Sequence, residues 1–510
     1  MTGTHRARAI MVQGTMSNAG KSLLVAGLCR IFSQDGYRVA PFKSQNMALN
    51  SFVGDDGLEL GRAQAMQAEA ARIAPDVRMN PILLKPTSTE GSQVIVRGRA
   101  IGNMSARDYF AYKANLRQTI IETYESLAAE HDIIVIEGAG SPAEINLKDD
   151  DIVNMGMARM AASPVLLAGD IDPGGVFAQL YGTLELLEPA ERAMVKGLIV
   201  NKFRGDATIL APGIAQLEAL CKTPVVGVVP YLALDLDDED SLAPRLSNGD
   251  AIATIDIAVV RLPHISNFTD FNQLSRRSDM GVRYVGEPSR LGRPDLVIVP
   301  GTKNTLDDLR WLHDSGLARC ILALAAGGTP VIGVCGGYQM LGNRVSDPHG
   351  AEGGGEVEGL GLLPMETVFE ESKELTRARG ILSIPEGVFA PLTGLAVEGY
   401  EIHMGATKGT CPPAVTLERM REGGDGYGGK TPDGGVSGNV WGTYLHGVFD
   451  APGVADAVAS VLRAARGLPA SIDAAADSAA FKETQYDLLA STMRDALNMD
   501  AVYRIVEEGL

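Results

Sequence analysis

Residues 11–32, MVQGTMSNAGKSLLVAGLCRIF, decide the fold of the first half of the chain. An apolar run enters Gly14, then come Gly20, Lys21 and Ser22, and apolar residues recur at 23, 24, 28, 31 and 32 with helical spacing. Strand, glycine-bearing loop and helix in that order predict a phosphate-binding loop. Backbone N–H groups of the loop and the helix start cradle phosphates, Lys21 reaches the outer phosphates, and the Ser22 hydroxyl ligates Mg²⁺. The spacing is a variant, because Thr15 stands where the first glycine usually lies and Gly14 comes one residue earlier. The expected ATP contacts are therefore Gly14, Thr15, Gly20, Lys21 and Ser22.

Around this loop the chain alternates apolar runs with helix-compatible stretches. Runs at 8–13, 38–42, 132–137, 164–169, 196–200 and 224–229 predict an α/β fold with a mostly parallel, doubly wound sheet. Ligands of such sheets bind at the C-terminal ends of strands. That rule singles out Glu137, at the end of HDIIVIE, as a carboxylate for Mg²⁺, with a surface glutamate as the bland alternative. Lys43 and Asn46 follow the second strand, where a cation would sit beside the transferring phosphate. Asp170, Asp172, Asn201 and Lys202 end later strands and are weaker candidates for ion or base contacts.

A second set of runs at 255–260, 295–299, 330–334 and 440–445 predicts another doubly wound α/β unit. Within it, GVCGGYQMLG at 333–342 places Cys335 in a glycine-hinged turn between a strand and a helix, which would expose the sulfur above the sheet edge. A buried core thiol is the ordinary reading of a lone cysteine. His446 in WGTYLHGVFD, distant in sequence and at the end of an apolar segment, favours an activated Cys–His pair.

Composition narrows the function classes. A length of 510 residues implies two or three domains. A formal net charge of −18 disfavours nucleic-acid binding, which draws most of its affinity from basic surface. Five cysteines at irregular spacings form neither a disulfide framework nor a CxxC metal site, so Cys29, Cys221, Cys320 and Cys411 are read as packing residues. No signal peptide or membrane span is read, and the expected compartment is cytoplasmic. The acidic run DLDDED at 235–240 is read as a solvated linker, with cation binding as the alternative. Residues 350–361 and 423–438 are read as Gly-rich loops, and about 470–510 as a helical tail packed on the second domain. The expected division is 1–233, a 234–252 linker, 253–455, and a 456–510 extension.

These segments carry a resemblance. GTMSNAGKS, FKSQNMALNSFV, IEGAGSPAEINL, DIDPGGVFAQLYGT, NKFRGD, GVCGGYQMLG, GYEIHMG and GTYLHGVFD resemble, in order from about residue 10 to 450, the cobyric acid synthase family. The first half is similar to dethiobiotin-synthetase-type P-loop enzymes, and the second to class I glutamine amidotransferases. What the resemblance implies is ATP- and Mg²⁺-dependent amidation of the b, d, e and g carboxylates of adenosylcobyrinic acid a,c-diamide, with ammonia from glutamine. The partners it implies are glutamine, ATP and an adenosylated corrinoid, with a homo-oligomer compatible. Cys335 and His446 would be catalytic, N–H groups near Gly301 and Gly336 the oxyanion hole, Lys43, Asn201 and Lys202 ATP contacts, and Ser22 and Glu137 metal ligands.

Two departures stand out. Ordinary class I amidotransferases carry a glutamate two residues after the histidine, where this chain has Val448. That leaves a Cys–His dyad, with Glu401 or His403 as candidate helpers. Pro173 occupies a position where relatives are expected to carry arginine, so Lys202 or Arg204 would supply that charge. Two rival readings remain: cobyrinic acid a,c-diamide synthase, and a ParA- or MinD-like switch ATPase. The latter group carries a signature lysine where this chain has Met16, and has no amidotransferase half.

Overall fold

The computed structural model describes residues 6–86, 91–237, 253–421, 426–470 and 478–510. The first sheet is six-stranded and parallel throughout, in the order Val225–Pro230, Val195–Phe203, Val165–Asp170, Arg8–Gly14, Ile133–Glu137, Val39–Phe42. Its central strands are buried on both faces, which is why they read as unbroken Val/Ile/Leu runs. Gly14 and Glu137 fall at the C-terminal ends of neighbouring strands. Gly20 starts the helix Lys21–Gln34 with φ 86°, and a Cβ there would lie 2.2 Å from Asn201 Nδ2. Both the left-handed backbone and the close approach require glycine.

A second six-stranded sheet runs Met280–Val285, Ile255–Val260, Leu296–Val299, Val331–Val334, Val440–Thr443, Gly435–Ser437, parallel except for the last pair. The α/β, doubly wound reading of both halves holds, and the strand ends agree closely with the apolar runs.

Several expectations fail. A mixed, mainly antiparallel sheet built on Met365–Leu382 and Ala396–Gly409 was not legible as a sheet. It also takes in Gly355–Glu358 and Tyr427–Asp433, inside the two stretches read as Gly-rich loops. Ladder hydrogen bonds from a neighbouring strand override the low strand propensity of glycine. A further four-stranded sheet joins Gln45–Met47, Ile82–Pro86, Gly91–Val96 and Arg99–Ser105.

The helical tail is also misplaced by the sequence reading. Helices Ser478–Ala496 and Met499–Glu508 bury Leu489, Met493, Leu497, Val502 and Val506 in the core beneath the first sheet, with Ile10, Leu24 and Leu28. Gly27 makes the approach close, since a Cβ on it would meet Met493 Sδ at 2.1 Å. The Leu489–Met493–Leu497 spacing identified the apolar face but not its partner. Asp237, read as solvated, is buried: its carboxylate accepts from Arg62 Nη2 at 2.7 Å and Lys482 Nζ at 2.9 Å. Residues 238–252, the rest of the expected linker, lie outside the described residues.

The two halves meet along residues 50–59. Asn267 N donates to Asn50 Oδ1 at 2.7 Å, Ser51 N donates to Asn267 Oδ1 at 3.1 Å, and Val53 packs with Tyr400 and Ile402. Glu59 is buried between Lys85 of the first half and Lys373 of the second, at 2.5 and 2.6 Å.

Candidate active site

The phosphate loop comes first. Lys21 Nζ lies 3.0 Å from Met16 O and 3.1 Å from Gly140 O, and a Cβ on Gly14 would come within 3.0 Å of that ammonium. Gly14 thus makes room for Lys21. Thr15 does not face the cavity: its N–H donates to Ala168 O and its hydroxyl to Gln179 Oε1. Its expected phosphate contact is corrected on that ground, because both of its donors are committed to the sheet and the helix Val176–Leu186. Ser22 Oγ donates to Glu137 Oε1 at 3.0 Å, Lys43 Nζ lies 2.8 Å from the same oxygen, and Gln67 Nε2 donates to Oε2 at 2.5 Å. Gln67 carries no motif; its helix, Arg62–Ala70, brings it in.

Asn201 and Lys202 hold the loop from the side. Asn201 Nδ2 donates to Ala19 O at 2.8 Å, and Lys202 Nζ reaches Asn18 O at 2.6 Å and Asp170 Oδ2 at 2.8 Å. Lys202 has φ 60°, a strained backbone at the cavity edge. Arg204 instead pairs with Asp172 at 3.1 Å and lies 3.5 Å over the Tyr231 ring. Its guanidinium is thereby committed outside the loop, and nothing in the structure gives Pro173 a role.

One hydroxyl and one carboxylate suit Mg²⁺, which is commonly held by one or two carboxylates together with substrate phosphates. The described residues contain no group of His, Cys, Asp and Glu able to cage a metal alone. Ser22 and Glu137 therefore fit an ion that arrives with the nucleotide.

At the second site Cys335 sits between strand Val331–Val334 and helix Gly336–Met340 with φ 52° and ψ −112°, a conformation unusual for a non-glycine residue. The following Gly337 is obligatory, since a Cβ there would lie 1.9 Å from Val299 O. The sharp turn presents Cys335 to a cavity that His446 also lines, and its Sγ donates to Ile402 O at 3.4 Å. The first N–H groups of the helix, those of Gly336 and Gly337, directly follow Cys335 in the chain and have no intrahelical acceptor. Gly301 borders the same space: a Cβ on it would be 3.1 Å from His446 Cε1 and 3.7 Å from Cys335 Cβ.

The partner that orients His446 is Asp270. His446 Nδ1 donates to Asp270 Oδ2 at 2.7 Å, Asp270 Oδ1 accepts from Gly447 N at 3.2 Å, and Tyr400 stacks on the imidazole at 5.1 Å. Burial pulls the His446 pKa down, but the charges of Asp270 and Cys335 outweigh it and push it up to about 10. To the expected Cys–His dyad the structure adds a third group, Asp270 beside His446, delivered from the segment after Ile255–Val260 rather than from position 448.

Neither candidate helper performs that role. Glu401 is buried and paired with Arg419. His403 Nδ1 lies 2.9 Å from Gly405 O and its ring stacks on Tyr444 at 3.6 Å. The sequence could not reveal Asp270, because Asp–Phe–Asn in SNFTDFNQ matches no motif and lies 176 residues from His446. Lys303 and Glu352 also line the Cys335 cavity. Burial lowers the lysine pKa and raises that of the glutamate to about 7.

Asp270→Asn should lower glutamine hydrolysis by about 10²–10⁴-fold, the cost of losing a carboxylate that fixes the histidine tautomer. The alkaline limb of the pH profile provides a second readout. A raised histidine pKa keeps imidazolium present until pH rises through about 10, so the limb should move from there toward the ordinary 6.5 in the variant. A limb that stays in place would remove Asp270 from the site.

Comparison with known proteins agrees with this two-site layout. Residues 10–241 match the CobQ/CobB/MinD/ParA nucleotide binding domain, and residues 256–454 match the CobB/CobQ-like glutamine amidotransferase domain. The chain is 56% identical to the cobyric acid synthase of Ruminiclostridium cellulolyticum over 99% of this chain and 98% of that protein. It is 53% identical to that of Lachnoclostridium phytofermentans over 99% of this chain and all of that protein (100%). The Yersinia enterocolitica enzyme of the same name is 53% identical over 98% of both chains. A nucleotide-binding half and a thiol amidotransferase half in one chain, matched from end to end at such identity, make this protein a member of the cobyric acid synthase family.

Proposed function

We propose that this protein is the glutamine-hydrolysing cobyric acid synthase of its organism, an ATP-dependent ligase that amidates the b, d, e and g carboxylates of adenosylcobyrinic acid a,c-diamide. The observation that carries the reading is the joining of a strained Cys335 turn and its His446–Asp270 pair to a phosphate-loop site through one interface, at Asn50–Ser51 and Asn267. A partition-type ATPase has no use for the thiol site. The proposed division keeps 1–233 as synthetase, 234–252 as linker, 253–455 as amidotransferase and 456–510 as extension.

A carboxylate is a poor electrophile because its oxygen is a poor leaving group. ATP therefore converts it to an acyl phosphate, which ammonia attacks to form the amide and release phosphate. Lys21, Lys43 and the N–H groups from Gly20 onward position and neutralise the transferring phosphoryl group. Ser22 and Glu137 would hold Mg²⁺, which supplies further charge neutralisation when bound.

In the second half, His446 takes the Cys335 proton and is held as imidazolium by Asp270. The thiolate attacks the glutamine amide carbon, Gly336 and Gly301 N–H groups stabilise the oxyanion, and His446 gives its proton to the departing ammonia. Water then cleaves the glutamyl thioester with His446 as base. Lys303 and Glu352 offer opposite charges for the α-carboxylate and α-ammonium of glutamine. Ammonia is released in a cavity lined by Lys85 of the first half as well as Lys373 of the second.

No described helix is long and apolar enough to cross a membrane, and the proposed compartment is the cytoplasm. Incubation with ATP, Mg²⁺, glutamine and the diamide, followed by mass spectrometry, should show all four carboxylates converted. Amidation of only the a and c carboxylates of cobyrinic acid, or of none, would overturn this assignment.

A further inference from the structure

The cavity above the phosphate loop measures about 920 Å³, and Lys21, Lys43, Lys113, Lys148 and Lys202 line it. Lys43 pairs with Glu137, Lys148 with Glu191 and Lys202 with Asp170, while Lys21 meets backbone carbonyls. Lys113 is different. It is only 7% exposed, yet no described residue offers its ammonium a hydrogen bond or an ion pair, and its nearest aromatic face is Phe110 at 5.6 Å. Asp151, the neighbouring acid in the same cavity, spends its oxygens on the N–H groups of Val153, Asn154 and Gly156. Asp150 and Asp151 attract the Lys113 ammonium without hydrogen-bonding it, so its N–H groups stay open to an anion that enters the cavity.

The mouth of the cavity has a second unusual property. Met47 is 59% exposed and Leu147 41% exposed, and both line the opening. Ile145, beside Leu147, is 59% exposed. Large apolar side chains left in water around a cavity mark a binding surface. The triphosphate of a nucleotide has no use for them. A corrinoid does, because its broad ring face is apolar while its rim carries carboxylate arms.

We propose that Lys113 binds a peripheral carboxylate of the corrinoid substrate while the ring lies against Met47 and Leu147. This rests on the corrinoid reading above and assigns residues to it. The phosphate loop then lies in the floor of the cavity, so an arm of the ring reaches the γ-phosphate as its neighbour is held by Lys113.

Equilibrium dialysis read by visible absorbance tests the assignment, with adenosylcobyrinic acid a,c-diamide and with cobinamide, a corrinoid that has no carboxylate. Lys113→Gln should weaken diamide binding by about 10- to 100-fold, the range for a charged hydrogen bond, and leave cobinamide binding unmoved. Lys113→Arg should restore most of the loss, and Met47→Ser should weaken both ligands alike. Circular dichroism melting checks that each variant is folded. If Lys113→Gln fails to fold, the Arg variant and the salt dependence of wild-type diamide binding decide. Equal weakening of both ligands by Lys113→Gln, no weakening, or salt-independent diamide binding would overturn the assignment of Lys113. A wild-type chain that binds neither corrinoid overturns the corrinoid reading itself.

Discussion

Cys335→Ala should abolish amidation from glutamine while leaving amidation from added ammonium salts intact. The expected loss with glutamine is on the order of 10⁴–10⁶-fold, the scale for removing the nucleophile of a catalytic triad. Nothing in the phosphate-loop site touches Cys335, whose sulfur meets Ile402 O at 3.4 Å in a cavity shared with His446. The ammonia-dependent rate therefore reports the synthetase half alone. Equal loss from both nitrogen sources would mean that the thiol turn also holds the interface at Asn267 and Asn50 together, and the division of labour would fail. Asp270→Asn belongs to the same class and should likewise spare the ammonium-dependent reaction.

Lys21→Ala should cut amidation from either nitrogen source by roughly 10²–10³-fold. The ammonium is buried at the mouth of the loop, and its loss leaves the γ-phosphoryl charge without its positioned cation, at a cost of about 3–4 kcal/mol, or roughly 10²–10³-fold. Glutamine hydrolysis, measured separately, should persist, since His446, Asp270 and Cys335 lie in the other half. An ATP-dependent rate that the substitution leaves unchanged would transfer the role to Lys43, which shares Glu137 with Ser22. The two variants together separate nitrogen supply from carboxylate activation without reference to the corrinoid.

Much of this protein could be read directly from its residues. The Val/Ile runs of two parallel sheets, the loop at Gly20–Lys21–Ser22 and the turn at Cys335 are local signals, set by side-chain periodicity and by backbone conformations that only particular residues tolerate. Glu137 stands out as a candidate because strand ends in such sheets point at ligands, and His446 because a histidine distant in sequence can meet Cys335.

What the sequence left undetermined are contacts between residues far apart in the chain. Asp270 reaches His446 across 176 positions, Gln67 reaches Glu137 across 70, and Asp237 meets Arg62 across 175. No local pattern encodes a partner at such range, so an ordinary-looking acid comes to lie beside His446 and a supposed solvated one becomes buried. The same holds for the tail: spacing showed that Leu489, Met493 and Leu497 share a face, but only packing against Gly27 decided that the face closes the first sheet. The sheet built on Met365–Leu382 gave no local signal because that strand is interrupted by many charged side chains and Tyr427–Asp433, in the same sheet, is glycine-bearing, so both draw their order from neighbours. Periodicity and turn chemistry determined the architecture and pointed to the two candidate centres, while long-range burial decided which charges lie beside them.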